Sequence, residues 1–111
     1  MIELESNMGW ESVHENWKTR RDKWLTDCEH ATDLSSKSKL LVELENNVLW
    51  SAVNEGWKDL RPNWLQNCEA VSSEQDLANL LIEFESYVLW DVVSPNWKTR
   101  RDSWIRDCSH L

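Results

Sequence analysis

Two Cys-x-His pairs, Cys28-Glu29-His30 and Cys108-Ser109-His110, are the first residues of this chain that could hold a metal ion. Zinc wants four convergent ligands, and this spacing offers two at a time. There is no Cys-x-x-Cys, and Cys68 is followed two residues later by Ala70 instead of histidine. A small buried residue packed against tryptophan is the better account of each cysteine, and no metal is expected. Three carboxylate pairs, Glu3/Glu5, Glu43/Glu45 and Glu83/Glu85, would suit general acid–base chemistry. Helical residues two apart point in different directions, however, so the pairs are expected to lie on a solvated face. Nucleophilic catalysis has no Gly-x-Ser-x-Gly or His-Glu-x-x-His to work with, and two glycines leave no phosphate-cradling loop. The sequence therefore predicts a protein that is not an enzyme and carries no cofactor.

The remaining chemistry is basic. Lys18-Thr19-Arg20-Arg21-Asp22 recurs identically as Lys98-Thr99-Arg100-Arg101-Asp102, and the middle of the chain reads Lys58-Asp59-Leu60-Arg61-Pro62. The lysine and the second arginine occur in all three runs, which predicts that part of each run pairs with acidic residues of the helix before it. The candidate partner-binding residues are thus Lys18, Arg20, Arg21, Lys58, Arg61, Lys98, Arg100 and Arg101, a basic spot for an acidic protein or a phosphate. A net charge of -8 works against nucleic acid. Charge is also uneven, since residues 41–80 hold seven acids against two bases while the flanking stretches are nearly balanced.

These runs are carried by an internal repeat, the feature to seek first because missing it miscasts the fold. Leu41-Val42-Glu43-Leu44-Glu45-Asn46-Asn47-Val48-Leu49-Trp50 matches Leu81 to Trp90, and Met1 to Trp10 matches both, at a constant offset of 40 residues. All nine tryptophans follow it: Trp10, Trp17 and Trp24, then Trp50, Trp57 and Trp64, then Trp90, Trp97 and Trp104. Each cysteine falls four residues after the last tryptophan of its copy. An indole buries about 150–250 Å², so all nine are read as core, in preference to exposed platforms for a base or ligand.

The elements that position these residues are helices. Leu77, Leu80, Leu81, Phe84, Val88 and Val92 keep helical spacing over more than four turns, which predicts a first helix through this span, started by the hydroxyl caps Ser72-Ser73. It must stop before Pro95, with Ser94 capping the next helix, and Gly56 marks nearly the same break one copy earlier. The second helix places Trp57, Leu60, Trp64, Leu65 and Cys68 on one face, as it does Trp97, Trp104, Ile105 and Cys108. Pro62 predicts a kink or restart within it. Residues 35–39 look like a linker but align with the cap and first turn of the third copy's first helix, and are read as a weaker helix start. The fold class is all-α: three tandem αα-hairpin repeats, 1–40, 41–80 and 81–111, packed as a short array or bundle with a tryptophan-rich core, in one domain spanning 1–111.

An array of this kind has two ends. The first copy starts without the turn that Asp76 to Leu80 give the third, and the third keeps the Trp97, Trp104 and Ile105 pattern of an internal copy. Neither end looks capped, which predicts a protein partner, self-association through the ends, or a longer parent protein. No apolar run approaches the roughly 18 residues of a membrane span, Met1 to Glu5 lacks a signal-peptide pattern, and three cysteines spaced forty apart suit a reducing compartment. The expectation is an intracellular protein with no membrane contact.

The run from Trp64 through Ser72, Ala78 and Leu81 to Trp90, preceded by Leu41 to Val48, resembles the WHIM (WSD) helical motif of DDT-domain proteins. Among these are the bromodomain-adjacent-to-zinc-finger subunits of ISWI-type chromatin remodellers. The resemblance covers about fifty residues and transfers no individual functional residue. It implies a nuclear protein whose helices dock on a remodeller ATPase or near linker DNA.

Overall fold

Serine and aspartate caps mark the starts of three of the long helices. In the computed structural model, which describes residues 2–109, Asp33 accepts a hydrogen bond from the Ser36 amide and Ser73 one from the Asp76 amide. These caps satisfy amides that a first helical turn leaves without partners. The helices they start are α3 (Leu34–Asn47) and α5 (Glu74–Tyr87), and α1 (Ile2–Ser6) is their shorter counterpart. Each is followed by a single 3₁₀ turn, at Trp10–Ser12, Trp50–Ala52 and Trp90–Val92, and then by a second helix: α2 (Glu15–His30), α4 (Gly56–Glu69) and α6 (Pro95–Ser109). Ser94 caps α6 through its hydroxyl, which accepts from the Asn96 amide at 3.3 Å, and Pro95 occupies the first turn where its missing N–H costs nothing. The stretch 35–39 is helical, as its alignment predicted, so the sequence boundary at 40/41 lies inside α3.

Two helix boundaries differ from expectation. The first helix of each pair ends about a turn earlier than its apolar spacing suggests, because Val48 and Val88 turn extended. Their neighbours then bond to another copy instead of continuing the helix. Helix α4 runs through Pro62 without interruption. Pro62 is exposed, so water can serve the Lys58 carbonyl that it leaves without a donor. Replacing it is expected to help: Pro62→Ala should raise unfolding free energy by about 1–3 kcal/mol, read from urea titration, and an unchanged midpoint would count against the continuous helix.

The backbone between the helices joins the copies in a cycle. Val13 pairs with Val48, Val53 with Val88 and Met8 with Val93, each as an isolated antiparallel bridge. Two hydrogen bonds flank every bridge: Leu49 N to Ser12 O at 2.9 Å and His14 N to Asn47 O at 2.9 Å, Leu89 N to Ala52 O at 3.0 Å and Asn54 N to Tyr87 O at 2.7 Å. The third pair is Gly9 N to Val92 O at 2.9 Å and Ser94 N to Asn7 O at 2.6 Å. The first copy bonds the second, the second the third, and the third the first. An open array would have kept the outer copies apart, whereas here they meet through Met8 and Val93, so of the expected array or bundle the arrangement is the closed one. The described chain has a radius of gyration of 13.2 Å.

Six tryptophans form the core of this cycle. Trp17, Trp24, Trp57, Trp64, Trp97 and Trp104 are buried, paired within each second helix in edge-on contacts with centroids 5.2, 5.2 and 5.1 Å apart, a favoured aromatic geometry. Trp24 and Trp64 donate their indole N–H to Leu40 O at 3.1 Å and Leu80 O at 3.0 Å on the following helix. Copy-to-copy packing thus includes a satisfied buried polar group. Phe84 and Tyr87 of α5 lie against Trp57 of α4 with centroids 5.6 and 5.3 Å apart.

The expectation of nine core tryptophans fails for three. Trp10, Trp50 and Trp90, at the start of each 3₁₀ turn, are 47%, 50% and 41% exposed. Leu60 is also out of the core, at 38% exposed. The buried face of α4 runs through Trp57, Trp64 and Cys68 with Arg61 and Leu65 half-buried beside them, and Leu60 lies on the other flank. Among the described residues no helix is long and apolar enough to cross a membrane.

Candidate functional site

Each copy builds the same unit from a glutamate, an arginine and an exposed tryptophan, and the first two copies add an indole donor. Its base is a glutamate on the first helix: Glu5, Glu45 and Glu85 are 5%, 5% and 3% exposed. This corrects the expectation of a solvated carboxylate face: of the other members, Glu83 is exposed, whereas Glu3 and Glu43 are half-buried and ion-paired with Arg100 and Arg20. A buried carboxylate needs charge and hydrogen bonds in compensation. Arg21 Nε donates to Glu5 Oε2 at 2.6 Å, Arg61 Nε to Glu45 Oε2 at 2.7 Å and Arg101 Nε to Glu85 Oε1 at 2.7 Å. Trp17 and Trp57 add indole donors to Glu5 Oε2 at 3.1 Å and Glu45 Oε2 at 3.0 Å. The guanidinium then lies over the exposed indole of its own copy, with Arg21, Arg61 and Arg101 at 5.6, 5.8 and 5.5 Å from the Trp10, Trp50 and Trp90 ring centroids. These distances suit a cation–π contact. Glutamate anchors arginine, and arginine holds an exposed tryptophan in place.

The middle unit departs in two respects. Arg21 and Arg101 bond both oxygens of their glutamates, whereas Arg61 turns its Nη2 to Asn46 Oδ1 and leaves Glu45 Oε1 with no hydrogen-bond partner. Ser6 and Ser86 stand at the matching positions and bond carbonyls of their own helices, so they do not compete for the arginine. Lys58 adds a second cation 5.8 Å from the Trp50 ring.

Clefts open beside these units. One of about 190 Å³ is lined by Glu5, Trp10, Trp17 and Arg21, and one of about 280 Å³ by the matching Glu45, Trp50, Trp57 and Arg61. A shallower concavity of about 550 Å³ lies where the copies meet, lined by Glu11, Ser12, Ser51, Ala52, Asp91 and Val92 among others. It takes all three positions of the first 3₁₀ turn and the last two of each of the others.

The basic residues singled out from sequence are mostly engaged within the molecule. Arg21, Arg61 and Arg101 belong to the units above. Arg20 bonds Glu43 through Nε at 3.1 Å and through Nη2, and Arg100 bonds Glu3 through Nη2, in each case joining one copy to the next. Lys18 and Lys98 stay exposed at the surface. Pairing of the second arginine with the preceding helix agrees with the sequence reading. That reading missed the three buried glutamates and the three exposed tryptophans, although a residue kept in all three copies was a signal for both.

The cysteines are free thiols, Cys68 and Cys108 buried and Cys28 half-buried. Among the described residues no three His, Cys, Asp or Glu side chains gather as a metal site, and His110 of the second Cys-x-His pair lies outside them. Burial, aided by nearby Glu45 and Glu83, pushes the Cys68 thiol from its ordinary value of 9.0 up to about 12. Burial also raises Cys28, to about 11, and such thiols are poor nucleophiles. The unfolded chain ionises its thiols first. The stability they contribute is therefore complete below pH 9.0 and is lost as pH rises through about 11 and 12. Urea midpoints should fall over that interval, and less steeply in Cys68→Ala; equal slopes would contradict the burial of this thiol.

A family model described as Domain of unknown function (DUF8799) matches residues 34–92, more than half of the chain. The span runs from the first residue of α3 to the last of the Trp90–Val92 turn. It includes the whole middle unit and the Val53–Val88 junction. No curated protein and no solved structure matches the chain.

Proposed function

This chain belongs to that family of domains of unknown function, and we propose that it works as a non-enzymatic interaction module, a closed set of three helical repeats presenting Trp10, Trp50 and Trp90 to a protein partner. The observation that carries the reading is the division of the tryptophans. Six are buried, and the three that are 41–50% exposed occupy the same position in every copy, each beneath an arginine anchored on a buried glutamate. An exposed indole is costly to keep in water, and tryptophan and arginine dominate the energetic centres of protein interfaces. Held by arginine, the ring loses little freedom on binding. The concavity among the 3₁₀ turns gives such a partner a recessed centre.

The competing reading, nucleic acid held by the Lys/Arg runs with base stacking on tryptophan, draws less support. Five of the eight basic residues are in ion pairs with glutamates, and the net charge is -8. The test is affinity capture from nuclear and cytosolic extracts with the wild-type chain and with Trp10→Ala/Trp50→Ala/Trp90→Ala, captured proteins being identified by mass spectrometry. A partner bound by the wild type and depleted about tenfold with the triple variant, at unchanged far-ultraviolet circular dichroism, supports the reading. Equal capture by both, or binding that collapses with added salt in the manner of phosphate contacts, overturns it. The resemblance to WHIM segments adds one specific arm: a remodeller ATPase among the nuclear proteins captured.

A further inference from the structure

The copy-to-copy arginine–glutamate pair is absent at one of the three junctions, where the ion pair between α3 and α5 is Lys37–Glu74 instead. Arg20 of α2 bonds Glu43 of α3, and Arg100 of α6 bonds Glu3 of α1. At the junction of α4 with α5 the matching residues are Leu60 and Glu83. Leu60 is 38% exposed and Glu83 is exposed, with no ion pair among the described residues. The neighbouring surface has lost its bases too. Where the α2–α3 junction offers Arg20, Lys23 and Lys39, the α4–α5 junction offers Leu60, Asn63 and Asn79, and Asp59 replaces the threonine of the other two copies. Beside it a cleft of about 340 Å³ is lined by Val71, Asp76, Leu80 and Glu83 among others.

We infer that this junction docks a basic segment of a protein partner, whose arginine takes the place on Glu83 that Arg20 and Arg100 fill elsewhere and whose neighbouring apolar side chain covers Leu60. Charge complementarity selects the occupant. Residues 41–80 carry seven acids against two bases, and a carboxylate with no ion pair among the described residues, at the junction that also carries an exposed leucine, matches a guanidinium next to an aliphatic group. An acidic segment or a phosphate meets repulsion from Asp59, Asp76 and Glu83 here. The inference concerns a surface separate from Trp10, Trp50 and Trp90 and does not rest on their role.

The experiment uses the full chain, labelled with ¹⁵N and titrated with three short synthetic peptides: arginine with leucine, arginine with serine, and glutamate with leucine. The arginine–leucine peptide is expected to shift the amides of α4 and α5 around Leu60, Val71 and Glu83, and to bind more tightly than the arginine–serine peptide. The acidic peptide should cause no shifts. Leu60→Arg supplies the missing internal pair in the form that the other junctions already use, so it is expected to fold. It should weaken arginine–leucine binding about tenfold, as for losing one charge-assisted contact. Equal binding by wild type and Leu60→Arg, equal affinity for both arginine peptides, shifts confined to the tryptophan face, or no binding at all would each overturn the inference.

Discussion

Trp64→Ala is expected to lower the unfolding free energy by about 3–5 kcal/mol, the range for removing a large buried aromatic, and the melting temperature by on the order of 15–30 °C. Trp64 is fully buried, meets Trp57 edge-on at 5.2 Å and Phe84 at 5.9 Å, and donates its indole N–H to Leu80 O on the next helix. Truncation therefore opens a cavity, removes aromatic contacts on two helices and leaves a buried carbonyl without its donor, and these losses act in the same direction. Trp50→Ala, in the same copy, should cost no more than about 1 kcal/mol, chiefly its contact with Arg61 and Lys58. Thermal melts of the two variants check the division between core and surface tryptophans. A loss for Trp64→Ala no larger than that for Trp50→Ala would mean that the division is wrong.

Arg101→Ala should be the most damaging substitution at a charged residue, costing about 2–4 kcal/mol. Breaking a fully buried ion pair costs roughly 3–5 kcal/mol because a charge is left in an apolar setting, and the partial exposure of the Arg101 side chain, 28% against 3% for Glu85, reduces that figure. The loss comes from the glutamate left behind. Arg101→Met with Glu85→Leu should accordingly recover most of the stability, since well-packed apolar replacements of buried ion pairs are close to neutral. Urea unfolding of the single and double variants decides between this and a peripheral role for the pair. A single variant as stable as wild type would show that Glu85 finds another partner.

The helices, their caps and the three-copy organisation were legible because they depend on local chemistry. Ser73 and Ser94 cap amides a few residues away, and helical spacing in α5 follows from which of its faces is buried. What the sequence did not show depends on neighbours in space. Val48 and Val88 continue the helical spacing of the residues before them, and only an extended segment of another copy makes leaving the helix favourable. Trp10, Trp50 and Trp90 are chemically the same as the buried six. Their exposure follows from their place on the 3₁₀ turns, which hydrophobicity alone does not reveal. Glu5, Glu45 and Glu85 looked solvated because carboxylates usually are; their burial depends on an arginine and, in the first two, an indole N–H that lie 16 and 12 residues away. Identity of residue type across three copies marked these tryptophans and glutamates without saying whether core or site kept them.

Closure of the cycle is tested most directly by amide hydrogen exchange. Six amides carry the copy-to-copy bonds: His14, Leu49, Asn54, Leu89, Gly9 and Ser94. The closed arrangement predicts that Gly9 and Ser94, which join the third copy to the first, exchange as slowly as the four that join consecutive copies, with protection that reports global unfolding. If His14, Leu49, Asn54 and Leu89 are protected while Gly9 and Ser94 exchange at the rate of an open chain, the copies form an open array and the common setting proposed for the three exposed tryptophans is lost.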